Sequence, residues 1–229
     1  MRLKHFINER NMKYGFGLSF FDIDETIFKT FAKIIVKDKH SGKVLKELDN
    51  QEFNSYKLGE NEEFDFGQFR NAKLFKETSI PIDKTIKRVQ RMIDKIESTE
   101  RGSGSRIIFL TARADFDNKH DVIETFEKYG IKIKKPTTYI ERSGNIKTGT
   151  VDEKKKQIML RYLQEGKYRR IRLIDDHKAN LKALLDIEKN LPPTIENAVR
   201  QYYGLDENEK AIEFFALYVK EDGSLERIN

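Results

Sequence analysis

The chain has 229 residues, 44 of them Lys or Arg and 38 Asp or Glu, for a formal net charge of +6. That length suits one domain with a small insertion rather than two full domains, and a 38% hydrophobic share with 16 Phe excludes a disordered chain. The absence of cysteine excludes a disulfide framework and a thiolate metal site.

Residues 1 to about 15 are polar and basic and read as a short arm or a first helix. They lack the apolar core of a signal peptide, and no later apolar run is long enough to cross a bilayer, so a soluble cytoplasmic protein is expected. Phe16 to Phe21 predicts a first strand, ending in Asp22-Ile23-Asp24-Glu25-Thr26. Side chains that stay apolar until the chain leaves the sheet mark a buried strand with chemistry at its carboxyl end. From about 33 to 79 the character changes. Ile34-Ile35-Val36 and Val44-Leu45, joined through Ser41-Gly42, predict a hairpin, and 50–69 reads as an aromatic-dotted loop. This segment is expected to be an insertion beside the mouth of strand one.

After Pro81, Ile82, Ile86, Val89, Met92, Ile93 and Ile96 recur at helical spacing, with the proline near the helix start. Arg101 to Ser105 form a flexible turn. Ile107 to Leu110 predicts a second buried strand, which ends in Thr111-Ala112-Arg113. A helix over 116–129 closes at Gly130, and the strand-like run 131–140 is placed at an edge, or broken, by Pro136. A further helix over 151–164 opens on Asp152 and Glu153, which suit the positive end of its dipole. Arg172 to Ile174 predicts a third buried strand, ending in Asp175-Asp176. A helix around Leu181 to Ile187 is expected to stop at Pro192-Pro193. Ile212 to Val219 predicts a last strand, inside an extension (194–229) to which the sequence assigns no role. Strands alternating with helices predict an α/β domain with a mainly parallel sheet flanked by helices.

In such a sheet the carboxyl ends of the strands share one edge, so Asp22, Asp24, Thr111, Asp175 and Asp176 converge despite their distance in sequence. Lys154-Lys155-Lys156 adds an ammonium. Lys155 lies three and four residues before Ile158 and Met159, on the face that docks on the sheet; Lys154 is the neighbouring alternative, and Lys156 reads as solvated. Carboxylates crowded into a low-dielectric pocket repel one another unless a cation offsets them. Hard oxygen donors without His or Cys point to Mg²⁺ rather than zinc. Mg²⁺, a lysine and a hydroxyl around an open position make a cradle for a transferring phosphoryl group.

The ordered set of Asp22-Ile23-Asp24-Glu25-Thr26, Thr111, the lysine and Asp175-Asp176 resembles the haloacid dehalogenase (HAD) superfamily of aspartyl-phosphate phosphohydrolases. The match covers about 16–35 and 80–190, and it implies a Rossmann-like core with a small hairpin-like cap at 33–79. Phe21 to Thr26, Leu110 to Arg113 and Leu173 to His177 also resemble the phosphatase module of phage-type polynucleotide kinase/phosphatases, although the kinase half is absent. The resemblance implies that Asp22 attacks phosphorus and that Asp24 protonates the leaving oxygen, then activates water. Thr111 would contact the phosphoryl oxygens, and Lys155 or Lys154 would balance charge. Asp22, the main-chain carbonyl of Asp24, Asp175 and Asp176 would hold Mg²⁺. Thr26, Ala112, Arg113 and Lys154 are the candidate substrate-side residues.

Each motif alone has a plainer reading: Thr111 and Asp175-Asp176 as helix caps, the lysines as a solvated helix start, and Lys167-Tyr168-Arg169-Arg170 as a strand entry rather than a nucleic-acid track. Arg113 is either a surface residue or a grip on substrate phosphate, and His177 either a helix-start residue or a substrate contact. A receiver domain fits less well, since there the paired acids come near the start and the lysine near the end, after the hydroxyl-bearing strand, whereas here the pair Asp175-Asp176 follows the lysine. The short insertion leaves the mouth open, which with the positive charge suits a bulky phosphorylated substrate such as a polynucleotide 3′-phosphate end. A small-molecule phosphomonoesterase and a non-catalytic nucleic-acid-binding module are the alternatives.

Overall fold

The computed structural model describes residues 15–98 and 104–229. The expected arm or first helix before residue 15, and most of the turn at 101–105, lie outside the described residues. The chain runs β1 (Phe16–Phe21), β2 (Phe28–Lys29), β3 (Ile34–Asp38), β4 (Val44–Leu48), α1 (Asn50–Ser55), β5 (Glu62–Asp65), α2 (Gly67–Arg70), α3 (Ala72–Thr78), β6 (Ile80–Pro81) and α4 (Asp83–Glu97). It continues through β7 (Arg106–Thr111), α5 (Lys119–Lys128), β8 (Thr138–Arg142), α6 (Val151–Leu163), β9 (Tyr168–Asp175), α7 (Lys178–Lys189), α8 (Pro193–Tyr203), β10 (Glu213–Val219) and β11 (Leu225–Ile228).

The central sheet has the order β11-β10-β9-β1-β7-β8, parallel throughout except for β11, which pairs antiparallel with β10. The chain builds outward from β1 through β7 to β8, then crosses back to β9 on the other side of β1. The strand order therefore reverses between β1 and β9, and a crevice opens there at the carboxyl ends. β1 and β7 are buried on both faces because helices cover both. Leu18, Phe20, Ile108, Leu110, Ile171 and Leu173 pack against α6, α7 and α8; Phe21, Ile107, Phe109 and Ile174 pack against α4 and α5. Phe28 closes the second layer with edge-on contacts to Phe75 and Phe126.

The expected hairpin is β3–β4. The segment expected to be a loop after it is instead structured: β5 pairs antiparallel with β3, and α1 precedes it. Ile34, Val36 and Leu48, with Phe53, Tyr56, Phe64 and Phe69, give this insertion its own small core. Pro81 does not open the following helix: it pairs with Phe28 in β6, and α4 begins at Asp83. The helix expected over 116–129 is shorter, 119–128, because Phe116 is buried in the approach to it, while Asn118 caps the first turn by accepting from the His120 N–H at 3.0 Å. Gly130 follows at φ 69, as a C-terminal glycine should. β8 is an edge strand.

Pro192-Pro193 does end α7, but it also starts another helix, with Pro193 at the first helical position. The extension thus has a definite role. α8 buries Ile195, Val199 and Tyr203 against the core, and β10 and β11 widen the sheet by two strands. Among the described residues no helix is long and apolar enough to cross a membrane.

Candidate active site

β1 and β9 lie side by side, with Phe20 opposite Leu173 and Phe21 opposite Ile174, and the Asp22 N–H still bonds the Ile174 carbonyl at 2.9 Å. Their exits are therefore level, and Asp22 and Asp175 leave the sheet as neighbours. After β1 the chain turns sharply. Glu25 adopts φ 55, a left-handed conformation unusual for a residue with a Cβ, and its N–H bonds the Phe28 carbonyl at 2.8 Å. This turn sends Asp24 and Thr26 back toward the crevice rather than into solvent.

α6 delivers the lysine. A capping box in which Thr150 and Glu153 satisfy each other's backbone N–H groups fixes where the helix starts. Ile158, Met159 and Tyr162 dock it on the sheet, and Lys155 lies on that docked side. Its Nζ donates to Asp22 Oδ1 at 2.5 Å and Asp175 Oδ2 at 2.8 Å, with Lys155 1%, Asp22 6% and Asp175 0% exposed. Burial alone would lower the lysine's pKa, but Asp175 and Asp22 together outweigh it and push it up. Lys154 is half-buried and takes no part in this cluster, and Lys156 pairs with Asp186 on α7.

Asp22, Asp175 and Asp176 form a group whose ligand oxygens lie within 4.8 Å of one another. Burial raises the pKa of Asp22 well above the ordinary carboxyl value; Lys155 opposes the shift, and Asp175, Asp176 and Asp24 add to it. Burial, reinforced by Asp175, pushes Asp176 up to about 7. Three carboxylates thus face a single ammonium, and the excess negative charge, on hard oxygen donors only, fits a divalent cation such as Mg²⁺. The Asp175 carboxylate is further fixed by the His177 N–H at 2.8 Å and by Asn180 Nδ2 at 2.9 and 3.0 Å. Asn180 escaped the sequence reading. A polar residue on the core face of α7, four before Leu184 and seven before Ile187, was the available signal, because a buried amide needs a partner.

The Asp24 side chain is not part of that group; what remains available there is its main-chain carbonyl. Its carboxylate is held by Arg113, with Nε 3.1 and 3.0 Å from the two oxygens and Nη2 2.6 Å from Oδ1, and by the Thr30 hydroxyl at 2.7 Å. Burial pushes the Asp24 carboxyl up, but the charge and hydrogen bonds of Arg113 win and its pKa is lowered. Arg113 is therefore not a surface residue, and its guanidinium is engaged by Asp24. It is 3% exposed, bonds the Phe69 carbonyl at 2.9 Å, and lies against the rings of Phe69, Phe75 and Phe116.

Two further candidates are already engaged. Thr111 is fully buried; its Oγ1 accepts the Arg113 N–H at 3.1 Å and lies 3.4 Å from Asp24, so it is engaged beside the second carboxylate. Thr26, also buried, accepts the Asp176 N–H at 3.1 Å and ties the β1 exit to the β9 exit, the position from which it would fix the loop. Ala112 is exposed at the mouth. No family model matches the chain, and no curated protein or solved structure matches it.

Proposed function

We propose that this chain is a Mg²⁺-dependent phosphomonoesterase of the HAD type, working through an aspartyl-phosphate on Asp22 and acting on a phosphorylated polynucleotide end. The observation that carries the reading is the buried bridge of Lys155 between Asp22 and Asp175 at the sheet crevice, with a second, separately anchored carboxylate, Asp24, beside it. A nucleophile and an acid–base group in different electrostatic surroundings are what a two-step phosphoryl transfer needs. Asp22 is oriented through Oδ1 by Lys155, and Oδ2 has no hydrogen bond to the protein among the described residues.

In the first step Asp22 attacks phosphorus, the P–O bond to the leaving group breaks, and a proton passes to the departing oxygen. In the second, water attacks the phosphoryl group, Asp24 takes its proton, and Asp22 is regenerated. Clamped to Arg113, Asp24 is ionised and suited to the second step; to donate a proton in the first it must leave Arg113 and be protonated. Asp22, Asp175, Asp176 and the Asp24 carbonyl would hold Mg²⁺, which supplies positive charge to the phosphoryl oxygens. The bulky-substrate part of the reading is supported by the small insertion and by the net charge of +6.

Asp22→Asn keeps the shape of the site and removes the nucleophile. Phosphate release from a 3′-phosphorylated oligonucleotide and from 4-nitrophenyl phosphate, with Mg²⁺ and with chelator, should occur only with intact Asp22 and metal. Turnover that survives the substitution refutes the mechanism; turnover confined to the small ester refutes the polynucleotide substrate.

A further inference from the structure

Away from this site, uncompensated positive charge concentrates where α4 passes the turn between β10 and β11. Lys84, Lys87, Arg88 and Arg91 line a cleft of about 300 Å³ with Gly223, Ser224 and Leu225. Spacings of three, four and seven set the four cations along one side of the helix. Lys84 is neutralised, its Nζ 2.7 Å from Asp222. Lys87, Arg88 and Arg91 have no acidic partner among the described residues. The Nη1 nitrogen of Arg88 is sealed from solvent with no acceptor among the described residues, which leaves the rest of the guanidinium to meet an anion, and burial, then the neighbouring charge of Arg91, lowers its pKa. A half-buried guanidinium beside a second one is unfavourable alone and is relieved by an anion. The turn residues that line the cleft are already engaged: the Gly223 N–H bonds the Lys220 carbonyl, and the Ser224 N–H and hydroxyl both bond Asp222. Recognition here rests on the cations.

The basic strip continues onto the sheet. Arg227 lies two residues after Leu225, on the same face of β11. Its guanidinium is 4.9 Å from the Phe215 ring, which Arg172 approaches at 5.3 Å, and among the described residues its Nη2 reaches only the Phe214 carbonyl, at 3.4 Å. A strip crossing from α4 to β9 is more than one phosphate group can engage; an extended chain with regularly repeated charge matches it better. We propose that this groove between α4 and β11 binds the phosphodiester backbone of a single-stranded nucleic acid, with Arg88 and Arg91 gripping one phosphate and Arg227 a neighbouring one.

The inference rests on the phosphatase reading only for the purpose of the bound strand, and binding is testable without it. The probe is a fluorescent single-stranded oligonucleotide with hydroxyls at both ends, titrated with the full chain and read by anisotropy at several salt concentrations. Arg88→Gln/Arg91→Gln should weaken binding on the order of tenfold and reduce the salt slope by about 0.7, the one phosphate contact that both guanidiniums share. The exposed single variant Lys87→Gln should weaken it about threefold. Lys182→Gln/Lys189→Gln, an equal charge change on exposed positions of α7, should alter it by less than about twofold.

No binding by the wild type, or equal weakening by the α7 pair, overturns the proposal. So does displacement by inorganic phosphate at matched phosphate concentration, which would mark a site for a small free anion. Hydrolysis of 4-nitrophenyl phosphate should be unchanged in all these variants. A chain that binds the strand through Arg88 and Arg91 yet hydrolyses no ester would leave the groove standing and remove the phosphatase reading.

Discussion

Replacing Lys155 with Met tests the electrostatic centre of the site directly. The substitution keeps the length of the side chain and deletes the ammonium that bonds Asp22 and Asp175. All three side chains are nearly sealed from water, so the loss is that of a broken buried ion pair, about 3–5 kcal/mol. For a domain of this size each kcal/mol shifts the melting temperature by about 2–4 °C, so a fall of about 6–20 °C is expected. The sign with pH follows from Asp22, whose folded-state pKa is already raised by burial and is restrained by Lys155. A carboxyl group raised on folding has no penalty below its unfolded pKa and a growing one as pH rises. The deficit of Lys155→Met should therefore be small near pH 4 and largest near pH 8, and Asp22→Asn in the same chain should recover part of it. Differential scanning calorimetry in chelator at the two pH values reads this out. A variant that melts within about 2 °C of wild type at pH 8 would show that Lys155 does not neutralise the acids.

Three further outcomes are expected. Mg²⁺ should raise the melting temperature more at pH 8 than at pH 5.5, because Asp176, pushed up to about 7, is increasingly ionised and costly over that interval and a bound cation removes the cost; equal shifts in thermal melts would contradict this. Gly144→Ala should cost about 1–3 kcal/mol and disturb the Asp24 anchor, since an added Cβ would lie 2.4 Å from the Ala112 carbonyl and 2.6 Å from Ala114 N, behind Arg113; chemical denaturation and phosphatase assays would check it, and an unaffected Ala variant would show that the 112–114 loop can give way. Arg113→Gln should move the alkaline limb of the pH–kcat/KM profile upward, because Asp24 donates its proton in the first step and burial then acts on its carboxyl without its main opposing charge; an unshifted limb would separate Asp24 from that ionisation.

The parts of the fold legible in the sequence were those in which local pattern and burial agree. β1, β7 and β9 stand out because apolar runs end abruptly in acids or a hydroxyl, and α4 because Ile86, Val89, Ile93 and Ile96 keep a helical period. Lys155 was favoured over Lys154, though not separated from it, because it shares a helix side with Ile158 and Met159. Features that depend on tertiary partners were not legible. Pro193 as a helix start looks the same in sequence as a helix stop, and β5 gains strand character from β3. Arg113 is drawn inward by Phe69, Phe75 and Phe116, residues 38 to 44 positions away or three beyond it, a sleeve that only the folded insertion creates.

The route of the chain through the sheet also orders the assembly of the crevice. Its acids arrive on β1 and β9, but the cation that reconciles them comes from α6, which follows the outermost strand of the opposite wing, and Asp22 and Lys155 are 133 residues apart. A half-built sheet that pairs β1 with β9 before α6 has settled holds mutually repelling carboxylates with nothing between them. Such partial structures are disfavoured by their own charge, so the ion pairs that meet in the crevice favour all-or-none assembly.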